Sequence, residues 1–139
     1  MKNLLLSIFL GLAMSFSFAQ SNSKADVKEK AYLKKNTVTA VNFLSKNLKL
    51  DSKQKAIFMN AYSEYANSIA KGQNKMKTKG GDRPSMESKK QMQEYVLRFT
   101  EKRNKTIIPC LKKKQVKDFN EIQKRINPMT LEVRSERKK

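Results

Sequence analysis

Glycine and proline, the two residues that most strongly interrupt helices, are scarce in this chain, and their positions limit the folds it can form. Beyond residue 19 they are Gly72, Gly80, Gly81, Pro84, Pro109 and Pro128. The segments between them are long enough for extended helices. None of these segments shows the alternation of apolar and polar residues that is typical of a half-buried strand. The sequence therefore predicts an all-α fold.

Four segments have apolar residues at intervals of three or four, which places those residues on one side of a helix. The predicted helices cover about 26–48, 52–78, 85–108 and 112–126. Two flexible glycines and a proline suited to a helix start predict a turn at residues 79–84. Pro109 disfavours helical geometry at Ile108, so the third helix is expected to break there.

The length of 139 residues suits one domain. Residues 1–19 resemble a secretory signal peptide, because Lys2 precedes an apolar run and small residues, Ser17 and Ala19, lie where a signal peptidase cleaves. We expect cleavage near Ala19 and export to the periplasm, with secretion as the alternative. The remainder divides into a flexible or fraying segment at 20–36, a helical domain at 37–128 and a basic tail at 129–139.

Positive charge dominates the composition. The chain has 31 Lys and Arg residues against 12 Asp and Glu residues and no His, for a formal net charge of +19. Lys2 is the only charged residue in 1–19, so cleavage would leave +18. Repulsion of this size opposes compaction, and the chain needs either elongated helices that separate the charges or an anionic partner that neutralises them.

Enzymatic function and cofactor binding are not expected from the residue types present. There is no His, no glycine-rich phosphate loop and no imidazole partner for the single cysteine, Cys110, while the carboxylates are scattered singly. The methionines beyond residue 19 lack the clustered spacing of copper ligands and are interpreted as packing residues. Cys110 itself is either a buried, unreactive thiol or a site of disulfide formation between two copies.

A pentapeptide motif occurs twice in the chain and predicts the start of a helix each time. Leu50, Asp51 and Gln54 define the first copy, in which Asp51 and Gln54 have the spacing of a capping box. Leu111 and Gln115 define the second copy, which has a lysine at the capping position. In both copies a phenylalanine follows the leucine by eight residues, at positions 58 and 119.

This paired motif resembles the two Leu-Thr-x-x-Gln motifs of the Spy/CpxP family of small exported proteins, with Asp51 and Lys112 at the threonine positions. The likeness covers about residues 37–126 and also rests on the signal peptide, the size, the basic charge and the order of four helices. The resemblance implies a thin, curved, hairpin-based cradle that is a homodimer. Its concave face would bind unfolded or partly folded envelope proteins without ATP. Other family members are stress adaptors for membrane sensor proteins or bind zinc through histidines, which this chain lacks.

Six large apolar residues are candidates for the client-binding surface, and the core of the domain is the alternative place for each of them. They are Phe58, Tyr62, Tyr65, Met92, Phe99 and Phe119. The charge suggests a second function, the binding of anionic polymers such as lipopolysaccharide or extracellular nucleic acid. A third interpretation, a Skp-like trimeric chaperone, requires longer antiparallel hairpins than the central turn suggests.

Overall fold

A computed structural model describes residues 24–77 and 83–135. Within these residues the chain forms four α-helices and no strand: α1 Lys24–Leu48, α2 Ser52–Lys77, α3 Met86–Ile107 and α4 Lys113–Ile122. The all-α prediction is confirmed. The proposed signal peptide lies outside the described residues and stays a prediction, as does the part of the central turn at 79–82.

The breaks between helices follow the local signals in the sequence. Ser85 begins α3, because its hydroxyl group accepts a hydrogen bond from the Ser88 N–H at 3.1 Å. At the other end of α3, Ile108–Cys110 forms a 3-10 turn that contains Pro109, and this turn is the predicted break. The fourth helix is shorter than predicted, because α4 ends at Ile122 and continues as a 3-10 turn, Gln123–Arg125.

Helix α2 lies at the centre of the fold and packs against α1 and α3, while α1 also packs against α4. Each helix contributes one apolar side to a single core, as its periodicity predicts. The largest fully buried side chains are Tyr62, Tyr65, Phe58, Phe119, Leu44, Ile69, Ile107, Leu131 and Val41. Phe58 joins α2 to α4, since its ring meets the Phe119 ring edge-on at a centroid distance of 5.7 Å.

Helices α2 and α3 approach closely at Gly72. A Cβ atom added there would lie 2.7 Å from the Tyr95 ring, which is shorter than a van der Waals contact. Tyr95 in turn packs on Phe99, with ring centroids 4.6 Å apart. The missing side chain at position 72 therefore makes room for the Tyr95 ring between the two helices.

The C-terminal segment differs from the predicted basic tail at 129–139. Residues 126–135 fold back on the helices, with an isolated antiparallel bridge between Ile126 and Val133, and Leu131 is 1% exposed in the core. The Asn127 side chain caps the turn by accepting the Met129 N–H at 2.9 Å. A single apolar residue in a turn has no periodicity, so the pattern of the sequence did not indicate this contact. Residues 136–139 lie outside the described residues.

The predicted boundary between a flexible segment at 20–36 and the helical domain does not correspond to a break in the fold. Residues 24–36 are the first part of α1. Near their end, the Asn36 Nδ2 atom donates a hydrogen bond to the Thr130 carbonyl at 2.9 Å, and the Tyr32 hydroxyl group donates to Glu132. The folded-back C-terminal segment thus supplies partners for this part of α1.

Candidate functional site

The two copies of the repeated motif lie side by side at one end of the helices. Ser52 and Lys113 are the first residues of α2 and α4, so each motif spans a helix start as the sequence predicts. In the first copy the capping box is complete: the Asp51 carboxylate accepts the Gln54 N–H at 2.8 Å, and Gln54 Oε1 accepts the Asp51 N–H at 3.1 Å. We call the two motifs, Leu50–Gln54 and Leu111–Gln115, the corner motifs.

The second corner motif forms half of a capping box. Gln115 Oε1 accepts the Lys112 N–H at 3.0 Å, as Gln54 does in the first copy. The lysine side chain has only donors, so it cannot accept a first-turn N–H as the Asp51 carboxylate does. The start of α4 therefore depends on Gln115 more than the start of α2 depends on Gln54.

Gln54 and Gln115 pair with each other through their side-chain amides. Gln54 Nε2 donates to Gln115 Oε1 at 2.9 Å, and Gln115 Nε2 donates to Gln54 Oε1 at 3.3 Å. Each amide also donates to the backbone of the opposite corner, Gln54 to the Cys110 carbonyl at 2.9 Å and Gln115 to the Leu48 carbonyl at 3.1 Å. With the N–H each accepts from its own helix start, each amide uses both donors and two acceptor positions. The corner motifs are thus joined by a fully satisfied polar contact.

A buried arginine is the second polar feature of the interior. Arg103 of α3 is 8% exposed, and its guanidinium group lies over the rings of Tyr62 and Tyr65 of α2, 4.7 and 4.8 Å from their centroids. Its Nη2 atom donates to Asn104 Oδ1 and Gln123 Oε1, both at 3.0 Å. Among the described residues no carboxylate forms an ion pair with it. The positive charge of Arg103 is therefore stabilised by aromatic faces and by neutral side-chain amides.

Burial changes the acidity of both tyrosines beside Arg103. Removal from water raises the pKa of Tyr62 to about 12, although the positive charge of Arg103 opposes the shift. Burial also raises the pKa of Tyr65. The Tyr65 hydroxyl group donates to the Pro128 carbonyl at 2.7 Å, whereas the Tyr62 hydroxyl group has no hydrogen-bond partner among the described residues.

Cys110 lies directly before the second corner motif and is a free, half-buried thiol. Burial raises the pKa of this thiol, which disfavours the reactive thiolate. Because the thiol is only partly buried, both alternatives from the sequence stay predictions.

The structure resolves the two alternatives for the predicted client-binding residues in favour of the core. Phe58, Tyr62, Tyr65, Met92 and Phe119 are all buried, and Phe99 packs against them at the edge. The exposed large apolar side chains are a different set: Tyr32, Val38, Met86, Leu97 and Ile108. Sequence periodicity identified the apolar sides of the helices, but it did not indicate which large apolar residues are exposed.

The role of Arg103 was not evident from the sequence. The residue lies in the apolar stripe of the third helix, between Phe99 and Ile107. This position is the one sequence feature that could have indicated its buried role. A charged residue in an apolar stripe indicates either an error in the assigned stripe or a buried charge with specific partners. Those partners come from α2 and from the turn after α4, which periodicity does not locate.

Comparison with models of known protein families finds no matching family, and comparisons with curated proteins and with solved structures find no match either. The fold and the corner motifs therefore carry the functional argument. In the part of the chain that the structure describes, no helix has the length and apolar character needed to cross a bilayer. In the same part, no three His, Cys, Asp or Glu side chains cluster as metal ligands would.

Proposed function

We propose that this chain is an exported chaperone or envelope-stress adaptor of the Spy/CpxP type, which binds unfolded or partner proteins without ATP. The proposal is carried by the equivalence of the corner motifs. Both motifs open helices, and Gln54 and Gln115 pair reciprocally. The resemblance to the family depends on the same two motifs, so their equivalent geometry supports it.

The same resemblance implies a thin, curved cradle formed by two copies. A central α2 with α1 and α3 packed against it is compatible with a thin protein. In the adaptor form of the proposal, the partner is a membrane sensor protein of an envelope signalling system. In the chaperone form it is an unfolded or partly folded envelope protein.

Client binding requires long-range attraction together with adaptable apolar contacts. Because the predicted aromatic residues are in the core, the contact must use exposed side chains instead. On α1, Tyr32 and Val38 are 49% and 40% exposed, and Lys34 and Lys35 are exposed between them. We assign the client contact to this part of α1.

An aggregation assay tests the proposal. A client protein is unfolded in low salt with the purified chain at substoichiometric and stoichiometric ratios, and light scattering is recorded. Suppressed scattering is expected, and an absence of protection at every ratio would reject the function. The double variant Lys34→Glu/Lys35→Glu should weaken protection. Its control is Lys113→Glu/Lys114→Glu, which makes the same charge change at two exposed neighbouring lysines of α4.

The second candidate function is binding of anionic envelope material. It is favoured by exposed lysines around the corner motifs: Lys49, Lys53, Lys112, Lys113 and Lys114. Release of counterions on binding would make retention on lipopolysaccharide or DNA fall steeply with salt. For this function Lys113→Glu/Lys114→Glu is the test variant, because it should weaken retention. Lys34→Glu/Lys35→Glu is then its control. Tight, salt-sensitive retention without client protection would establish this function in place of the first.

A further inference from the structure

A groove lies between α1 and the folded-back C-terminal segment. Its volume is about 490 Å³, within the range of roughly 300 to 1,000 Å³ that is usual for binding pockets. Asn36 and Thr39 of α1 line one wall, and residues 131–135 line the other. The groove therefore has a helix on one side and non-helical backbone on the other.

The second wall presents an unpaired backbone edge at Val133. This residue forms the antiparallel bridge with Ile126, and the hydrogen bonds across the bridge come from the residues that flank the pair. One of them joins the Arg134 N–H to the Arg125 carbonyl at 2.8 Å. In such a pair the N–H and carbonyl groups of the bridged residue point away from its partner. Both groups of Val133 therefore face outward, and neither has a hydrogen-bond partner among the described residues.

We propose that this groove binds an extended segment of an unfolded protein that carries carboxylates, and that the segment pairs with Val133 as an added strand. Pairing needs a chain whose own N–H and carbonyl groups face Val133 across about 4.8 Å, the spacing of neighbouring strands. Such pairing recognises the backbone, so it tolerates many side-chain sequences. The proposal specifies how a client is bound and therefore rests on the proposed function.

The geometry of the groove selects an unfolded segment over a folded protein. Most backbone groups of a folded protein are already paired. Helix α1 forms the wall opposite Val133, so the space admits a single chain and not the edge of a whole sheet. An unfolded segment has unpaired backbone groups and can enter this space alone.

The charges beside the groove favour carboxylates in the bound segment. Arg134 lines the groove and is exposed, and Lys35 is exposed on the adjoining turn of α1. The groove also contains the Glu132 carboxylate, but this group accepts hydrogen bonds from the Tyr32 and Thr130 hydroxyl groups. A cationic occupant, including a second copy of this chain, would be repelled by the formal net charge of +19.

The groove adjoins the client contact assigned to α1. Tyr32 lies one turn before Asn36 on the same side of the helix and is 49% exposed. A segment that pairs with Val133 can therefore also pack an apolar side chain on the Tyr32 ring. Backbone pairing and an adaptable apolar contact would then act on the same client.

Fluorescence anisotropy tests the groove with a labelled peptide of alternating glutamate and valine residues in low salt. We expect saturable binding. The same peptide with methylated backbone nitrogen atoms keeps its charge but cannot donate to the Val133 carbonyl, so it should bind at least about tenfold more weakly. Both peptides are measured on the unaltered protein, so this comparison does not depend on the folding of a variant. Equal binding of the two peptides would overturn the proposal. So would an absence of binding, which is the result expected if another part of the chain or a second copy fills the groove.

A proline variant tests the backbone edge from the side of the protein. Val133→Pro removes the N–H group at the edge without breaking a hydrogen bond among the described residues. It should weaken binding of the unmethylated peptide several-fold. The control Ser52→Pro places proline at the first residue of α2, where proline is tolerated, and should leave the affinity unchanged. Unchanged affinity in a folded Val133→Pro variant would contradict the pairing.

Arg134→Glu tests the choice of an acidic segment. It should weaken binding of the glutamate–valine peptide several-fold and strengthen binding of a matched lysine–valine peptide. Lys113→Glu makes the same charge change at an exposed residue of α4 and should have a smaller effect on both peptides. Equal effects of the two variants would mean that net charge alone attracts the peptide, and would overturn the assignment to this groove.

Client protection is measured separately by light scattering, so the two proposals can fail independently. Protection without peptide binding would reject this groove and leave the proposed function intact. Peptide binding without protection would reject the chaperone function and leave the groove as a binding site.

Discussion

The hydroxyl group of Tyr62 is the one buried side-chain polar atom that lacks a hydrogen-bond partner within the described part of the chain. An unpaired buried hydroxyl group loses its bonds to water and gains none in return. The ring itself is useful, because it packs on Phe58 and lies under the Arg103 guanidinium group. The structure therefore needs the ring at this position and gains nothing from the hydroxyl group.

We predict that Tyr62→Phe raises the free energy of unfolding by about 1 kcal/mol at neutral pH, because it removes the unpaired group and keeps the ring. Urea denaturation measures this difference. Tyr65→Phe is the matched control and should be destabilising, since it removes the hydrogen bond to the Pro128 carbonyl. A large loss of stability in Tyr62→Phe would mean that the hydroxyl group has a partner in solution.

The same variant has a pH-dependent consequence. The pKa of Tyr62 is raised from 10.0 to about 12 in the folded protein. A raised pKa contributes stability that is fully present below pH 10 and is lost as the pH rises toward 12. The wild type should therefore lose more stability than Tyr62→Phe between these pH values, by about 2 to 3 kcal/mol. Denaturation curves of both proteins at intervals of pH test this. The difference between the two free energies of unfolding at each pH removes the effects that both proteins share.

Lys49 carries strain at the end of α1. Its φ of 53° lies in the left-handed region, and the next residue, Leu50, donates its N–H to the Ser45 carbonyl at 3.1 Å. This is the geometry of a helix end that glycine usually occupies. We predict that Lys49→Gly raises the free energy of unfolding by about 0.5 to 1 kcal/mol. Lys46→Gly, at an exposed position inside the helix, should lower it by a similar amount.

At the scale of elements, the sequence predicted the helices well and their contacts poorly. Breakers and apolar periodicity gave the ends of the first three helices to within about two residues, because both signals are local. The capping box of α2 was also predictable, since Asp51 and Gln54 are three residues apart. The pairing of Gln54 with Gln115 was not predictable, because the two residues are 61 positions apart and meet only through the packing of their helices.

The contacts of the first corner motif predict that its two capping residues contribute unequally to stability. Asp51→Ala should lower the free energy of unfolding by about 1 kcal/mol, the usual cost of losing one capping acceptor. Gln54→Ala should cost more, about 2 to 3 kcal/mol, because it also leaves the Cys110 carbonyl and the Gln115 amide without a buried partner. Chemical denaturation of both variants tests the order. Equal losses would indicate that the contact between the motifs contributes nothing to stability.

At the scale of the whole molecule, the C-terminal segment closes the core. Leu131 fills a position between the helices, and the turn that holds it is anchored by Asn36 from α1 and by Tyr65 from α2. The turn also places Leu131 in a left-handed conformation, with a φ of 57°. A segment predicted as a tail is therefore part of the fold.

We predict that Leu131→Ala lowers the free energy of unfolding by about 2 to 4 kcal/mol, the cost of a cavity in a packed core. Val38→Ala, at a 40% exposed position, is the control and should change it by no more than about 0.5 kcal/mol. Thermal denaturation at low protein concentration compares the two. A change at Leu131 as small as that at Val38 would show that the segment does not pack on the helices in solution.

The sequence by itself determined the properties that depend on neighbouring residues: helix positions, the cap of α2, the break at Pro109 and the excess of positive charge. Tertiary structure alone decided which apolar residues are buried, what holds Arg103, and that the two glutamines meet. Burial and long-range hydrogen bonds depend on which elements are adjacent in space, and a one-dimensional pattern contains no such distances. The aromatic residues of α2 and α4 lie in the core, and the proposed function uses the exposed surface of α1 instead.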